Sequence, residues 1–308
     1  MVRIWTVTVN PAIDYSTTVD HVLPTIKLRA REERFDPGGG GINVARVIRE
    51  LGGEVRAFYL AGGITGPVFE GLLRQTGVSG KGLAVAGDTR IAHVVHELDR
   101  GHEYRFTPRG PELGEEEWQQ ALAAIVGLDA DILVLSGSLA PGMPADFYRR
   151  VIDGVRGRGV RVALDSSGPA LFHALRAGVW LVKPNLREAE ELFGRRCRSP
   201  EDEEALARLS VERGWAELVA LTLGDRGAVL ASGAGVLRLR APRVATVSTV
   251  GAGDAFLGAM VWALAQGREA EEALAWGIAA GAATALTPGT GLCCRAAVER
   301  LRKLVAPA

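Results

Sequence analysis

The sequence predicts an α/β fold: a doubly wound, mostly parallel sheet with helices on both faces, extended by a small β-sheet lid. Three observations carry this. Short, near-continuous apolar runs alternate with helical patterns through most of the chain, as a parallel sheet covered on both faces requires. Residues 16–35 and 90–106 break that rhythm with half-polar strands and no crossover helix between them. The C-terminal third reads as helix by pattern. With 308 residues and no internal repeat, low-complexity tract or linker, residues 1–308 are expected to form one domain with the two irregular segments as its lid.

Taken in order, Ile4-Trp5-Thr6-Val7-Thr8-Val9 is the first strand, and a glycine run at residues 38–41 opens an amphipathic helix. Residues 91–98 and 103–106 flank a turn at Asp99-Arg100-Gly101-His102 and read as a hairpin in the lid. Residues 131–135, 160–164, 180–182 and 218–221 read as core strands, with helices expected over 144–155 and 169–177. A strand-like run at 244–247 precedes apolar helices over 255–265 and 273–286. Both runs fall short of the ~18 residues a bilayer span needs and read as buried helices. Gly277 and Gly281 in the second are explained either by close helix packing or by a flat ligand ring lying on small side chains.

Thirty-six Lys and Arg cancel 36 Asp and Glu, which removes the global basic field of non-specific nucleic-acid or membrane-surface binding. A charged ligand must then be caught by a local cluster. Glycine is the compositional outlier, 39 residues against a usual share of ~7%. Cys197, Cys293 and Cys294 form no CxxC motif and no disulfide framework, and the N-terminus shows no signal-peptide pattern, so a cytoplasmic location is expected.

The strongest chemical signal is Ser248-Thr249-Val250-Gly251-Ala252-Gly253-Asp254, just before an apolar helix. Its glycines leave amide donors bare at a helix N-terminus, where the helix dipole also favours an anion. Asp254 in that first turn is either a helix-stabilising carboxylate or a general base for a hydroxyl attacking a phosphate held by those amides. The second signal is Asp36-Pro37-Gly38-Gly39-Gly40-Gly41-Ile42-Asn43, which is neither a Walker A loop nor a dinucleotide fingerprint. Asn43 can donate and accept towards a polyhydroxy ligand touching that backbone.

Asp14, in Asn10-Pro11-Ala12-Ile13-Asp14, follows the first strand where ligands of open parallel sheets bind, although such an Asp is also a common turn residue. In Lys183-Pro184-Asn185-Leu186-Arg187-Glu188, the oxygens of Asn185 and Glu188 suit Mg²⁺ or its waters, and equally suit a capping box. Thr222-Leu223-Gly224-Asp225-Arg226-Gly227 is a glycine turn that a hairpin alone would explain.

The order of these motifs, with Ser136-Gly137-Ser138-Leu139-Ala140-Pro141-Gly142 between them, resembles the ribokinase/PfkB carbohydrate kinase family across essentially the whole chain. The resemblance implies ATP-dependent phosphorylation of a sugar hydroxyl, on an α/β core whose lid often forms a dimer contact. It implies Asp254 as base, the Gly251, Ala252 and Gly253 backbone at the transferring phosphoryl group, and Lys183 close to the ATP phosphates. Asp14, Gly38, Gly39, Gly40, Asn43 and Ser138 would hold the sugar. Thr222, Gly224, Gly227, Ser248, Ala279, Gly281 and Thr284 would meet the nucleotide, with Asn185 and Glu188 near Mg²⁺, reached through water.

Within the family, Ser136 to Gly142 followed by Asp146-Phe147-Tyr148 is similar to the kinases of phosphorylated hexoses. Lys27 and Arg90, in contexts matching the minor bacterial 6-phosphofructokinase branch, would bind the substrate's phosphate. The uninterrupted glycine run and Glu103-Tyr104-Arg105-Phe106 point to the same branch and to fructose 6-phosphate as acceptor. Fructose-1-phosphate or tagatose-6-phosphate kinase is the rival, and a non-catalytic nucleotide or sugar sensor is the reading from another class. Three positions depart from the branch: Ala140 replaces a proline, Arg109 precedes Gly110 in place of a proline, and Leu23 stands where a tyrosine linked to inhibitory ATP binding is expected. A homodimer through the lid is the expected assembly.

Overall fold

The structure, a computed structural model, describes residues 2–308. β1 (Ile4–Thr8) lies inside a ten-stranded sheet and is fully buried, as its Ile-Trp-Thr-Val-Thr sequence requires. β2 (Ala12–Val19) and β3 (Glu32–Gly38) leave that sheet for a second one, and α1 (Gly40–Glu50) returns to the core. β4 (Val55–Gly62), α2 (Gly66–Gln75) and β5 (Ser79–Val85) complete one edge. β6 (Arg90–Glu97) and β7 (His102–Phe106) form the lid hairpin.

The chain then alternates through α3 (Glu115–Val126), β8 (Ile132–Ser136), α4 (Phe147–Val155), β9 (Arg161–Asp165), α5 (Gly168–Leu175), β10 (Val179–Val182), α6 (Leu186–Phe193) and α7 (Pro200–Glu212). β11 (Ala216–Thr222), β12 (Ala228–Ser232) and β13 (Gly235–Arg240) form an antiparallel run at the far edge. α8 (Ala252–Ala265), α9 (Ala270–Thr284), α10 (Arg295–Arg302) and β14 (Ala306–Pro307) close the chain.

The large sheet runs β14-β13-β12-β11-β10-β9-β8-β1-β4-β5 and is parallel from β5 to β11. One face packs on α1, α8 and α9 through Ile42, Val44, Phe256 and Trp276, the other on α3, α4 and α5 through Trp118, Phe147, Tyr148 and Leu171. Strand order reverses at β1, so the C-terminal ends of β1, β8, β9 and β10 open onto one crevice. The lid sheet, β3-β2-β6-β7, rises from the same end.

The expected strand at 244–247 does not form. β14 occupies the free edge of β13, so this run crosses instead to the end of α9, where the Val247 amide donates to Ala285 O. Gly277 and Gly281 serve helix packing: a Cβ on them would lie 3.1 Å from Phe256 O and 3.2 Å from Ala252 O of α8. Among the described residues no helix is long and apolar enough to cross a membrane.

Candidate active site

Strand ends and one helix N-terminus assemble the site. Gly251, with φ +71°, caps α8 in the left-handed region, which glycine enters without steric cost. Ala252 N donates to Thr249 O, whereas the amides of Gly251, Gly253 and Asp254 have no backbone acceptor among the described residues and face the crevice as an anion nest.

Asp254 stands beside them. The Asn43 side-chain amide donates to its Oδ2 at 2.9 Å. Burial pushes the Asp254 carboxyl up to about 7, with Asp165 and Asp14 adding to the rise and the Asn43 bond and Lys183 opposing it. Lys183 is buried, its Nζ 3.2 Å from Asp165 Oδ1 and 3.4 Å from where a Cβ on Gly253 would sit. Burial works against its charge, but Asp165, then Glu188 and Asp254, hold the ammonium above its usual value.

Asp14 sits against the glycine turn, and a Cβ on Gly38 would lie 2.1 Å from its Oδ2. Burial pushes its carboxyl up to about 6 against the pull of Arg46. Gly40 approaches Ser136 as closely: its Cβ would fall 2.4 Å from Ser136 Oγ. The run is therefore uninterrupted because β1, β2 and β8 leave no room for side chains. Gly39 is the half-exposed N-cap of α1. Ser138 is exposed beside them, and Asn10 Nδ2 ties its loop down by donating to Leu139 O at 3.2 Å and to Arg109 O at 2.9 Å.

Arg90 donates to Asn10 O at 2.8 Å and Pro108 O at 2.9 Å, with a longer bond to Pro11 O. Two of its five N–H groups have no partner among the described residues. Lys27 lies on the exposed loop between β2 and β3.

Asn185 and Glu188 form the capping box: Glu188 N donates to Asn185 Oδ1 and Asn185 N to Glu188 Oε2, both at 2.9 Å. One Glu188 oxygen stays uncommitted, and burial raises its carboxyl above the usual range. Thr222 ends β11 against Pro184 O. Gly224, with φ +66°, has open space where a side chain would project, whereas Gly227 is a packing glycine whose Cβ would meet Leu239 O at 2.1 Å.

Three residues expected on the nucleotide side have their side chains placed elsewhere. Ala279 is fully buried in the core, and Thr284 is buried with its hydroxyl accepting from Cys293 N, so neither side chain faces the crevice; Gly281, between them, is half-exposed. Ser248 turns to the lid instead, its hydroxyl donating to Glu103 Oε2 at 2.7 Å. Next to it, Arg105 Nη2 donates to Thr249 Oγ1 at 2.9 Å, latching β7 to the loop before the nest.

Sequence reading missed Asp165. It ends a core strand as Asp14 follows one, so the same strand-end rule would have found it. The Glu103–Ser248 and Arg105–Thr249 contacts join residues 145 and 144 apart, and no local pattern reports them.

A doubly wound core, a lid over the crevice, and a carboxylate beside a helix-terminal nest define the class of a sugar kinase. Residues 7–297 match the model of the pfkB family carbohydrate kinases, and the chain belongs to that family of ATP-using phosphotransferases. It is 42% identical over 306 residues to the ATP-dependent 6-phosphofructokinase isozyme 2 of Mycobacterium tuberculosis, covering 99% of this chain and 90% of the relative. It is 32% identical over 289 residues to a Bacillus subtilis 1-phosphofructokinase, covering 94% of each. The crystal structure of phosphofructokinase-2 from Escherichia coli in complex with potassium superposes with a TM-score of 0.94 at 38% identity, over 99% of both chains. The chain is a sugar-phosphate kinase.

Proposed function

We propose that this chain transfers the terminal phosphate of ATP to the C1 hydroxyl of fructose 6-phosphate. The observation that carries the reading is the Asp254 carboxyl, held by Asn43 beside the unpartnered amides of Gly251 and Gly253, with the Lys183 ammonium facing the same nest. Asp254 takes the proton from the attacking hydroxyl, and the amides and Lys183 stabilise charge on the transferring group. A carboxyl near 7 is well matched to that task, because about half of it is ionised at neutral pH and the ionised form is basic enough to accept a proton.

Asp14, Gly38 and Asn43 bind the sugar, and the two free N–H groups of Arg90 meet the substrate's phosphate. Asn185 and Glu188 suit a hydrated Mg²⁺, because one Glu188 oxygen lies outside the capping box and can accept from a water on the ion. Mg²⁺ would neutralise charge on the nucleotide phosphates.

Initial rates of ADP formation with fructose 6-phosphate, fructose 1-phosphate and tagatose 6-phosphate test the substrate. Fructose 6-phosphate is expected to lead in kcat/KM by about 10²-fold or more. A lead for fructose 1-phosphate makes the chain a 1-phosphofructokinase, as the Bacillus subtilis relative is named.

The lid's outer face carries a stripe of rings in cross-strand register, Phe35, Tyr15, His93 and Phe106, with Tyr15 stacked 4.5 Å from Phe35 and 4.7 Å from His93. Phe35 and Phe106 are 49% and 58% exposed, so the stripe supports pairing with a second copy of the lid. Light scattering is expected to give the mass of a dimer; a monomer mass at assay concentration overturns this.

A further inference from the structure

We propose that Arg46 is a positioning residue that sets which end of the Asn43 amide faces Asp254, and that Asp36 anchors it for that purpose. This rests on Asp254 being the base. Arg46 Nη1 donates to Asn43 Oδ1 at 3.2 Å, and Asn43 Nδ2 donates to Asp254 Oδ2 at 2.9 Å. The amide of an asparagine has nearly the same shape with its oxygen and nitrogen exchanged, so sterics alone do not choose between its two orientations. Arginine breaks the tie, because a guanidinium only donates and must be met by the oxygen. The NH₂ group is thereby turned towards the ionised carboxylate, which only accepts.

Arg46 is itself fixed. Its Nη2 donates to Asp36 Oδ1 at 3.0 Å and its Nη1 to Pro37 O at 3.0 Å, while Asp36 Oδ2 accepts from Thr290 Oγ1 at 2.6 Å. Arg34 adds a contact to Asp36 at 2.7 Å. The Arg46 and Asp36 side chains are only 11% and 7% exposed, so the pair is held in a medium where hydrogen bonds are strong and misplacement is costly. A relay thus runs from the loop before α10, through the base of the lid and one turn of α1, to the reacting carboxyl. Without Arg46 the amide can invert and set its oxygen against Asp254, penalising the ionised form. The other charged groups facing Asp254 are Asp165 from β9, Lys183 from the end of β10 and Asp14 from β2, and none of them touches Asn43.

The test is the pH profile of kcat for the full chain, its Arg46→Met and Asn43→Ala variants, and the double variant. Arg46→Met is expected to move the acid limb up by about one pH unit, a loss of roughly tenfold near pH 6 that shrinks towards pH 9. In the Asn43→Ala background the same change is expected to move the limb no further, because the relay is already cut. A uniform loss at every pH, or a shift that persists without Asn43, overturns the proposal and leaves Arg46 as a clamp between α1 and the lid. Should Arg46→Met fail to fold, Arg46→Lys keeps the positive charge but replaces the planar fork that spans Asp36 and Asn43 with a single ammonium. It is expected to shift the limb in the same direction, and an unmoved limb overturns the proposal. If Asp254→Asn leaves turnover near normal, the assignment of the base fails instead, independently of Arg46.

Discussion

The two halves of the crevice are built differently. On the half proposed to hold the sugar, Asn43 and Arg90 are side chains tied to named partners, Asp14 lies against the glycine turn, and that turn is set by contacts that leave no room for a Cβ. On the nucleotide side, Gly224 has open space beside it and Gly281 offers half-exposed backbone, while Ala279 and Thr284 are buried in helix packing. On that assignment, one half would recognise by committed polar groups and the other by the shape of backbone turns. Small changes should therefore be costly on the sugar side and mild on the nucleotide side.

Asp254→Asn should have the largest effect, lowering kcat by roughly 10²- to 10⁴-fold with the KM values for both substrates kept within a few-fold. It keeps the shape and the contact to Asn43 but removes the proton acceptor. Steady-state kinetics check it.

A matched pair of alanines sharpens the contrast. Gly38→Ala places a methyl group 2.1 Å from Asp14 Oδ2 and must displace that carboxylate, so the sugar KM should rise on the order of tenfold to a hundredfold. Gly224→Ala meets no atom within 4 Å and suffers only a left-handed backbone, a strain of about 1–2 kcal/mol. Its KM for ATP should change less than about threefold. Equal effects from the two alanines would erase the difference between the halves.

Legibility followed the range of the physics. The core strands could be read because burial on both faces writes a continuous apolar run, as in β8 and β10. The same signal misled at 244–247, where the run follows β13 but β14 already holds that strand's edge. Glycine-bearing turns announced the nest of Gly251 and the turn at Gly38, since their backbone demands are local. Arg46 lies three residues beyond Asn43 on one helix face, yet its task depends on Asp36 and Thr290, the latter brought from 254 positions beyond Asp36. The partner of Ser248 was illegible for the same reason: its hydroxyl meets Glu103 of the lid, 145 positions away.

The most direct measurement is the pH dependence of kcat with fructose 6-phosphate and ATP saturating, for the unaltered chain and for Asp254→Asn. The base must be ionised to act, and its carboxyl is held at about 7, so the rate should climb through pH 6 to 8 and level above. That limb should vanish from the residual activity of Asp254→Asn. An unaltered limb in the variant, or turnover close to that of the parent, would contradict the role given to Asp254.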